Sequence, residues 1–194
     1  GYLPSVYDRF YGLTVDVVEI DPVVARAARE KFDYKPSGDL FIEDGRAHLE
    51  RSGWTYDVII LDAFASERTP FHLFTREFFE KARERLSPGG VLGVNTVGNP
   101  DQEAWVSVHK TIASVFPKVK QFATVSPAGG MGNMIFIASA GDTPPPDLSR
   151  VRPEAREVLE RMLSREVPRP EDTLLSRARV FTDDFNPIDD LYRE

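Results

Sequence analysis

Three acidic residues stand where short runs of apolar or β-branched residues end. Glu19 lies in the run VVEID, Asp44 follows LFIE and Asp62 follows VIIL. The continuous apolar run Val58–Leu61 is typical of a strand that is buried on both faces. Because a lone carboxylate is costly to bury, we expect Asp62 just beyond the end of that strand, at the mouth of a cleft. Ligands of open parallel sheets bind beyond the carboxyl ends of the strands, so these carboxylates mark a candidate ligand site.

The chemistry that these residue types offer is recognition of a nucleoside. A carboxylate at a strand end can accept hydrogen bonds from both hydroxyls of a ribose, because its two oxygens match a vicinal diol. Glu19 is the candidate for this role. Asp44 can accept from an adenine amino group, and Gly45 lets the backbone approach the base. Together these residues predict a pocket for an adenine nucleoside.

Each acidic residue also has a plain structural interpretation. Asp21 precedes a proline, and we favour a helix N-cap over a ligand contact for it. Asp44 can equally cap a helix that begins at Gly45, and Asp62 can be a cap or turn residue. Glu19 lies inside a strand-like run and has no capping role, which favours ribose binding.

The three histidines and the absence of cysteine narrow the chemistry further. We expect His48 on the surface of a short helix and His109 in the packing of a longer one. His72 follows Asp62 in a loop and is a candidate substrate contact at the cleft. The histidine spacing does not match a metal site and no serine occupies a nucleophile elbow, so we expect neither a metal nor hydrolase chemistry. Without cysteine, disulfides and thiolate metal sites are excluded.

The elements that must position these residues alternate between strand and helix. An N-cap at Thr75 begins the fourth helix, and the breaker Ser87–Gly90 ends it. Such alternation predicts βαβ units and a mainly parallel, doubly wound sheet, and the last two strands, joined only by a glycine-rich stretch, predict an antiparallel edge pair. The predicted strands are 15–20, 40–42, 58–61, 91–94, 119–125 and 134–138, and the predicted helices are 3–10, 23–32, 45–51, 74–86, 102–116 and 153–165.

The residues before and after this alternating pattern depart from it. A doubly wound sheet normally places a central strand and a glycine-rich turn before the first helix, and neither is among the residues that begin at Gly1. After the last strand come three consecutive prolines, a charged helix and a tail. We therefore expect a nucleoside-binding domain over residues 1–140, with the linker, helix and tail of residues 141–194 packing on that same domain.

Composition bounds the class of protein. The chain has 194 residues, of which 41% are hydrophobic and 28% charged, and a net charge of −7. This favours one globular domain and argues against binding to nucleic acid, which calls for a basic face. No apolar run approaches the roughly 18 residues of a membrane span, and no signal peptide opens the chain. The expectation is a soluble, cytoplasmic protein that binds a small molecule and no membrane.

Several segments together resemble the spermidine synthase family, the polyamine aminopropyltransferases, within the S-adenosylmethionine-dependent methyltransferase fold. The resemblance covers about residues 1–138, and the order and spacing of the segments carry it. It implies a Rossmann-like sheet, a transferase of polyamine biosynthesis and a homodimer. The segments are VDVVEIDPVVARAAREKF, IEDGRAHL, YDVIILDAF and LFTREFFEKARERLSPGGVLGVN.

The resemblance also implies roles for individual residues. Gly1 would be the last glycine of the nucleoside-binding loop. Glu19 would bind the ribose, with Ile20 beside it in the same site, and Asp44 with Gly45 would bind the adenine. Asp62 would be the catalytic acid–base residue. The implied reaction is transfer of an aminopropyl group from decarboxylated S-adenosylmethionine to putrescine or a related polyamine, without a metal.

The chain departs from the authenticated synthases in three respects. Ala65 occupies the place of a second aspartate three residues after Asp62, and Glu67, two residues further on, is the candidate to compensate as a substrate contact. The small N-terminal β-domain of the family is not among these residues. The segments DAFASERTPFHLFTREFF and TDDFNPID are more similar to the spermidine synthase-like branch of uncertain activity, some members of which are fused to membrane transporters.

Three functions therefore remain open at this point. The first is aminopropyl transfer to an amine, and the second is methyl transfer from intact S-adenosylmethionine to a small molecule. The third is a non-catalytic scaffold of the same fold. The first two differ in how the site treats the carboxylate of the donor, since an acidic cleft repels it.

Overall fold

The computed structural model describes residues 2–63, 70–98, 102–124, 132–144 and 146–188. Within these ranges the chain divides into two compact units, residues 1–53 and 54–194. The helices are α1 Tyr2–Tyr11, α2 Pro22–Lys31, α3 Gly45–Arg51, α4 Arg76–Glu84, α5 Glu103–Ala113, α6 Pro153–Leu163 and α7 Asp172–Arg177. The strands are β1 Val17–Glu19, β2 Leu40–Ile42, β3 Tyr56–Leu61, β4 Leu86–Gly98, β5 Lys118–Ala123, β6 Gly132–Ser139 and β7 Glu166–Val167. Two 3-10 turns lie at Phe71–Leu73 and Leu148–Arg150.

The first unit is built on the parallel pair of β1 and β2, whose register places Glu19 opposite Ile42. Both α2 and α3 pack against β1. Just before β2, the Asp39 backbone N–H donates over 2.9 Å to Oδ1 of Asp16, the residue that precedes β1. A side chain at Gly38 would overlap Asp16 Oδ1 and the backbone of Val15, so only glycine fits there.

The second unit is a five-stranded sheet in the order β3-β4-β6-β5-β7. The pair β3–β4 is parallel, whereas β4–β6, β6–β5 and β5–β7 are antiparallel. The predicted α/β class and the antiparallel edge pair are thus confirmed. The short strand β7 and the helix α7 were not predicted from the sequence.

One face of the five-stranded sheet is covered by helices. Along β4, Leu92, Val94 and Thr96 are buried, and the residues between them are only half-buried. The ring of Trp105 on α5 stacks on Phe136 of β6, with the centroids 4.2 Å apart. The alternation of buried and half-buried residues along β4 follows from the period of two in a strand, because only one face of the sheet carries the core.

The prediction that β3 is buried on both faces is wrong. Val58 and Ile60 are 48% and 45% exposed, whereas Leu61 is buried. The register explains this, because Leu61 pairs with the buried Val94 on the helix-covered face, while Ile60 pairs with Gly93 on the opposite face. The apolar run is therefore divided between two faces of unequal burial.

The breaker Ser87–Gly90 lies inside β4 rather than in a loop. The fourth helix ends at Glu84, earlier than predicted, and the strand has already begun at Leu86. The pairing with β3 shifts register between Tyr56 and Val58, and Gly89 takes a positive φ of 83°. A glycine that adopts this φ without strain lets the strand absorb an irregularity.

The helix starts show which local signals are reliable. Thr75 is the N-cap of α4, as predicted, and its Oγ1 accepts from the Phe78 N–H. The helix begins at Arg76 because Phe71–Leu73 forms a separate 3-10 turn. Among the described residues, no helix combines the length and the hydropathy that a transmembrane span needs.

His109 is buried, as predicted, and lies in a chain of hydrogen bonds. Gln121 Nε2 donates to the Pro168 carbonyl over 2.6 Å, so Gln121 Oε1 is the acceptor for His109 Nδ1 at 3.2 Å. Burial lowers the pKa of His109 below its ordinary value of 6.5; the bond to Gln121 opposes this, and the charge of Arg169 adds to it. The folded protein therefore favours the neutral imidazole.

The protonation of His109 makes stability depend on pH. Histidine in the unfolded chain takes up a proton near pH 6.5, so a fall in pH below that value favours unfolding until the lowered pKa of the folded state is passed. We expect the free energy of unfolding to decline below about pH 6.5, and to decline less in His109→Gln, when measured by urea denaturation. Some decline should persist, because burial also lowers the pKa of His48. Equal declines in variant and wild type would contradict the assignment.

Candidate active site

Glu19 and Asp44 lie at the carboxyl ends of two neighbouring parallel strands. Glu19 is the last residue of β1 and pairs with Ile42, and its backbone carbonyl accepts from the Glu43 N–H over 3.1 Å. Asp44 follows directly after Glu43. The structure therefore brings these two predicted nucleoside contacts to the same end of the pair, where open parallel sheets bind ligands.

The carboxylate of Glu19 is held at one oxygen. Its Oε1 accepts from the Asp21 backbone N–H over 2.9 Å. Its Oε2 has no hydrogen-bond partner among the described residues. Asp21 itself caps α2, because its Oδ1 accepts from the Val23 N–H over 2.7 Å, which confirms the capping interpretation. Glu19 thus presents an oriented carboxylate with capacity for further hydrogen bonds.

Asp44 is the N-cap of α3. Its Oδ1 accepts from the backbone N–H groups of Arg46 and Ala47, each over 3.0 Å. The capping interpretation is therefore confirmed, and it leaves a ligand role as a separate question. A Cβ at Gly45 would meet no atom within 4 Å, so packing does not require glycine there. The side chain of Ile20, 67% exposed, follows Glu19 at the end of the first strand.

Beside Asp44, the side chain of Glu43 joins two basic groups. Its Oε1 lies 2.8 Å from His48 Nδ1, and its Oε2 accepts from the guanidinium of Arg51. The His48 ring also packs on Phe41, with the centroids 4.4 Å apart. Burial lowers the pKa of His48, and the charge of Asp16 opposes this. The prediction of a surface His48 is wrong. The side chain is buried, and its ring packs α3 against β2, the strand that carries Phe41.

Asp62 follows β3 directly and its side chain is exposed. Its Oδ1 accepts from Asn95 Nδ2 over 2.7 Å. The pairing of Leu61 with Val94 places Asn95 next to Asp62 at the carboxyl end of the parallel pair. Asn95 was missed in the sequence, although a lone asparagine in the apolar run VLGVNTV is a usable signal.

The amide of Asn95 is only partly satisfied. Its nitrogen donates to Asp62, whereas its Oδ1 is buried and has no partner within the described part of the chain. A buried acceptor without a partner typically costs about 1–3 kcal/mol. Such costs are common at functional sites, where a polar group is kept for a ligand rather than for the fold.

The remaining predicted site residues are distributed as follows. His72 is half-buried in the 3-10 turn, and its ring meets that of Phe71 edge to face at 5.9 Å. Gly1, Ala65 and Glu67 lie outside the described residues. In the ranges that the structure describes, no group of three His, Asp or Glu side chains is arranged to hold a metal ion.

The arrangement offers two kinds of chemistry. At the end of β1 and β2, an oriented carboxylate and a helix N-terminus next to a glycine can receive a ribose and a base. After β3, an exposed carboxylate fixed by an amide can accept a proton or hold an ammonium group. The first activity is binding, and the second is acid–base chemistry.

Comparison with known proteins identifies what the chain resembles. The family profile "Spermine/spermidine synthase domain" matches residues 8–148. A polyamine aminopropyltransferase of Vibrio vulnificus is 30% identical over 199 residues, which cover 96% of this chain and 65% of the relative. The chain spans still smaller parts of the next curated relatives, 21% and 24%.

Two solved structures have the same fold. A probable spermidine synthase from Corynebacterium glutamicum is 27% identical, with a TM-score of 0.71, and the match covers 93% of this chain and 67% of that one. Human methyltransferase-like protein 13, solved in complex with SAH, is 25% identical, with a TM-score of 0.59. That match covers 86% of this chain and 78% of the human one. The sheet thus has a methyltransferase-type fold.

The unsatisfied amide of Asn95 generates a prediction about stability. Asn95→Val removes the buried acceptor and introduces a residue that favours strands, while the exposed carboxylate of Asp62 regains water. We expect the free energy of unfolding, measured by urea denaturation, to be unchanged or to rise by about 1 kcal/mol. As the opposite control, Asn95→Asp places a second carboxylate beside Asp62 and should destabilise the fold. A clear loss of stability in Asn95→Val would show that the amide serves the fold.

Proposed function

Because the chain belongs to the spermine/spermidine synthase domain family, we propose that it takes part in transfer of an aminopropyl group from decarboxylated S-adenosylmethionine to putrescine or a related polyamine. The observation that carries this proposal is the Asp62 carboxylate, exposed after β3 and fixed by the Asn95 amide. A carboxylate so placed suits an amine, which must be deprotonated before it can act as a nucleophile.

The nucleoside part of the donor is assigned to residues 1–53. Glu19 accepts from the ribose hydroxyls, for which its Oε2 has capacity. Asp44 and Gly45 receive the adenine, where the absence of a side chain at Gly45 lets the base approach the backbone. Ile20 offers an exposed apolar side chain in the same segment. These residue types fit an adenine nucleoside.

Asp62 is assigned the acid–base step. The donor supplies a carbon that is electrophilic because it is bonded to a sulfonium. Asp62 first accepts a proton from the ammonium group of the acceptor, which frees the lone pair of the nitrogen. The neutral amine then forms a bond to this carbon as the carbon–sulfur bond breaks, with the electron pair of that bond passing to sulfur. The Asn95 amide donates to Asp62 Oδ1, so the Asp62 carboxylate does not rotate freely. A carboxylate that is already oriented lowers the entropic cost of the reaction.

Charge favours the decarboxylated donor. The proposed site presents the acidic side chain of Asp62, and the chain carries a net charge of −7. A carboxylate on the donor is repelled by such a site, whereas a polyamine cation is attracted. This supports aminopropyl transfer over methyl transfer.

Methyl transfer from intact S-adenosylmethionine to a small molecule is the second candidate. The specific observation in its favour is the likeness to human methyltransferase-like protein 13, whose structure contains SAH. The nucleoside contacts proposed above serve both donors equally. On the donor side, the two functions therefore differ in the group transferred and in how the site treats the donor's carboxylate.

Calorimetric titration with both donors separates these functions. We expect the full-length protein to bind decarboxylated S-adenosylmethionine at least tenfold more tightly than the intact form, a difference of about 1.4 kcal/mol. The reverse preference would contradict aminopropyl transfer and favour the methyltransferase. Binding of neither donor would favour a non-catalytic scaffold.

Replacement of the proposed catalytic group tests the mechanism. We expect Asp62→Asn to lower kcat for aminopropyl transfer by about 100-fold or more, with the donor Kd and the free energy of unfolding nearly unchanged. The matched control is Asp57→Asn at the other end of β3, where the aspartate accepts from the Ser87 hydroxyl over 2.6 Å. This control should retain its activity. A fall in stability without a fall in kcat would make Asp62 a structural residue.

A further inference from the structure

The segment of residues 178–188, which contains most of the motif TDDFNPID, lies along two helices of the second unit. At α5, Ser107 Oγ accepts from the Arg179 N–H over 3.0 Å, and Thr111 Oγ1 accepts from the Phe181 N–H over 2.9 Å. Both hydroxyl residues are fully buried. This C-terminal segment is therefore fastened to the core independently of any loop.

The same segment continues to the beginning of α4. The Phe181 carbonyl accepts from the Arg76 N–H over 2.8 Å, and Glu77 Oε2 accepts from the Asp183 N–H over 3.1 Å. The side chains of Phe181 and Ile188 are fully buried. Burial near both ends and several hydrogen bonds between them make the placement of the segment robust to the loss of any one contact.

Asn186 makes the last of these contacts, and it makes it to the 3-10 turn. Its Nδ2 donates to the Phe71 carbonyl over 2.7 Å, while its Oδ1 accepts from the Ile188 N–H over 3.2 Å. Both ends of the amide are thus engaged, and its orientation is fixed. The partner carbonyl belongs to the residue directly before His72.

This contact bears on His72, the candidate substrate contact of the sequence analysis. Asn186 fixes the backbone carbonyl of Phe71, the residue directly before it. We propose that Asn186 is a positioning residue for the acceptor amine, acting through the backbone that carries His72. This role rests on the proposed function.

The proposal concerns the acceptor and not the donor. All contacts of the C-terminal segment described above are with residues of the second unit. The proposed nucleoside contacts Glu19, Asp44 and Gly45 belong to residues 1–53. A change at Asn186 should therefore alter recognition of the amine and leave the nucleoside contacts as they are.

The substitution Asn186→Asp isolates the contact. Aspartate has the same shape and keeps an oxygen for the Ile188 N–H, but it has no N–H to donate to the Phe71 carbonyl. We expect KM for putrescine to rise on the order of tenfold, because small displacements of substrate-positioning groups are costly. We expect kcat to stay within about twofold and the Kd of decarboxylated S-adenosylmethionine to be unchanged.

Ser107→Ala is the matched control. It removes a hydrogen bond of similar length from the same segment, at α5 instead of the 3-10 turn. We expect it to lower stability without raising KM for putrescine. Equal increases of KM in both variants would overturn the proposal, because the segment would then act only through stability.

Hydrogen exchange supplies a readout that does not depend on activity. The Leu73 and Phe74 N–H groups donate to the carbonyls of Pro70 and Phe71 within the 3-10 turn. We expect both amides to exchange faster in Asn186→Asp and to be unchanged in Ser107→Ala. Unchanged exchange in Asn186→Asp would overturn the anchoring role.

The outcomes also separate this proposal from the proposed function. A wild-type protein that transfers no aminopropyl group overturns the proposed function, and the role in acceptor recognition falls with it. An active wild-type protein whose KM for putrescine is unchanged by Asn186→Asp overturns the positioning role alone.

Discussion

The register of β3 against β4 is the constraint on which the candidate catalytic site depends. Because Leu61 pairs with Val94, the next residues of the two strands, Asp62 and Asn95, meet at the carboxyl end of the pair. A slip of one residue would turn the apolar side chains of β3 to the opposite face and separate carboxylate from amide. The irregularity at the other end of β4, around Gly89, takes up the mismatch of strand lengths without disturbing this end.

The carboxylates at the ends of β1 and β2 are already ordered by bonds within the protein. Asp44 caps α3 and Glu19 binds the Asp21 N–H, and each bond restricts the side chain before any ligand arrives. A side chain that is already ordered loses less conformational entropy on binding, which strengthens the interaction. Capping at Asp44 is therefore compatible with the proposed recognition of a nucleoside.

Local signals allowed much of the fold to be predicted, and non-local contacts explain the rest. The bounds of β2 and α3, and the caps Asp21 and Thr75, follow from residues within one turn of each other. Burial of β3 could not be predicted, because an apolar run does not say which of its faces a helix will cover. Asn95 was missed for the same reason, since its importance depends on pairing with a strand more than thirty residues away.

The C-terminal segment contacts a part of the chain that is distant in sequence. Asn186 binds the carbonyl of Phe71, in the 3-10 turn, across 115 residues of sequence. The segment that carries Asn186 is itself buried at Phe181 and Ile188. The orientation of the 3-10 turn therefore depends on the packing of the second unit and not only on the turn's own few residues.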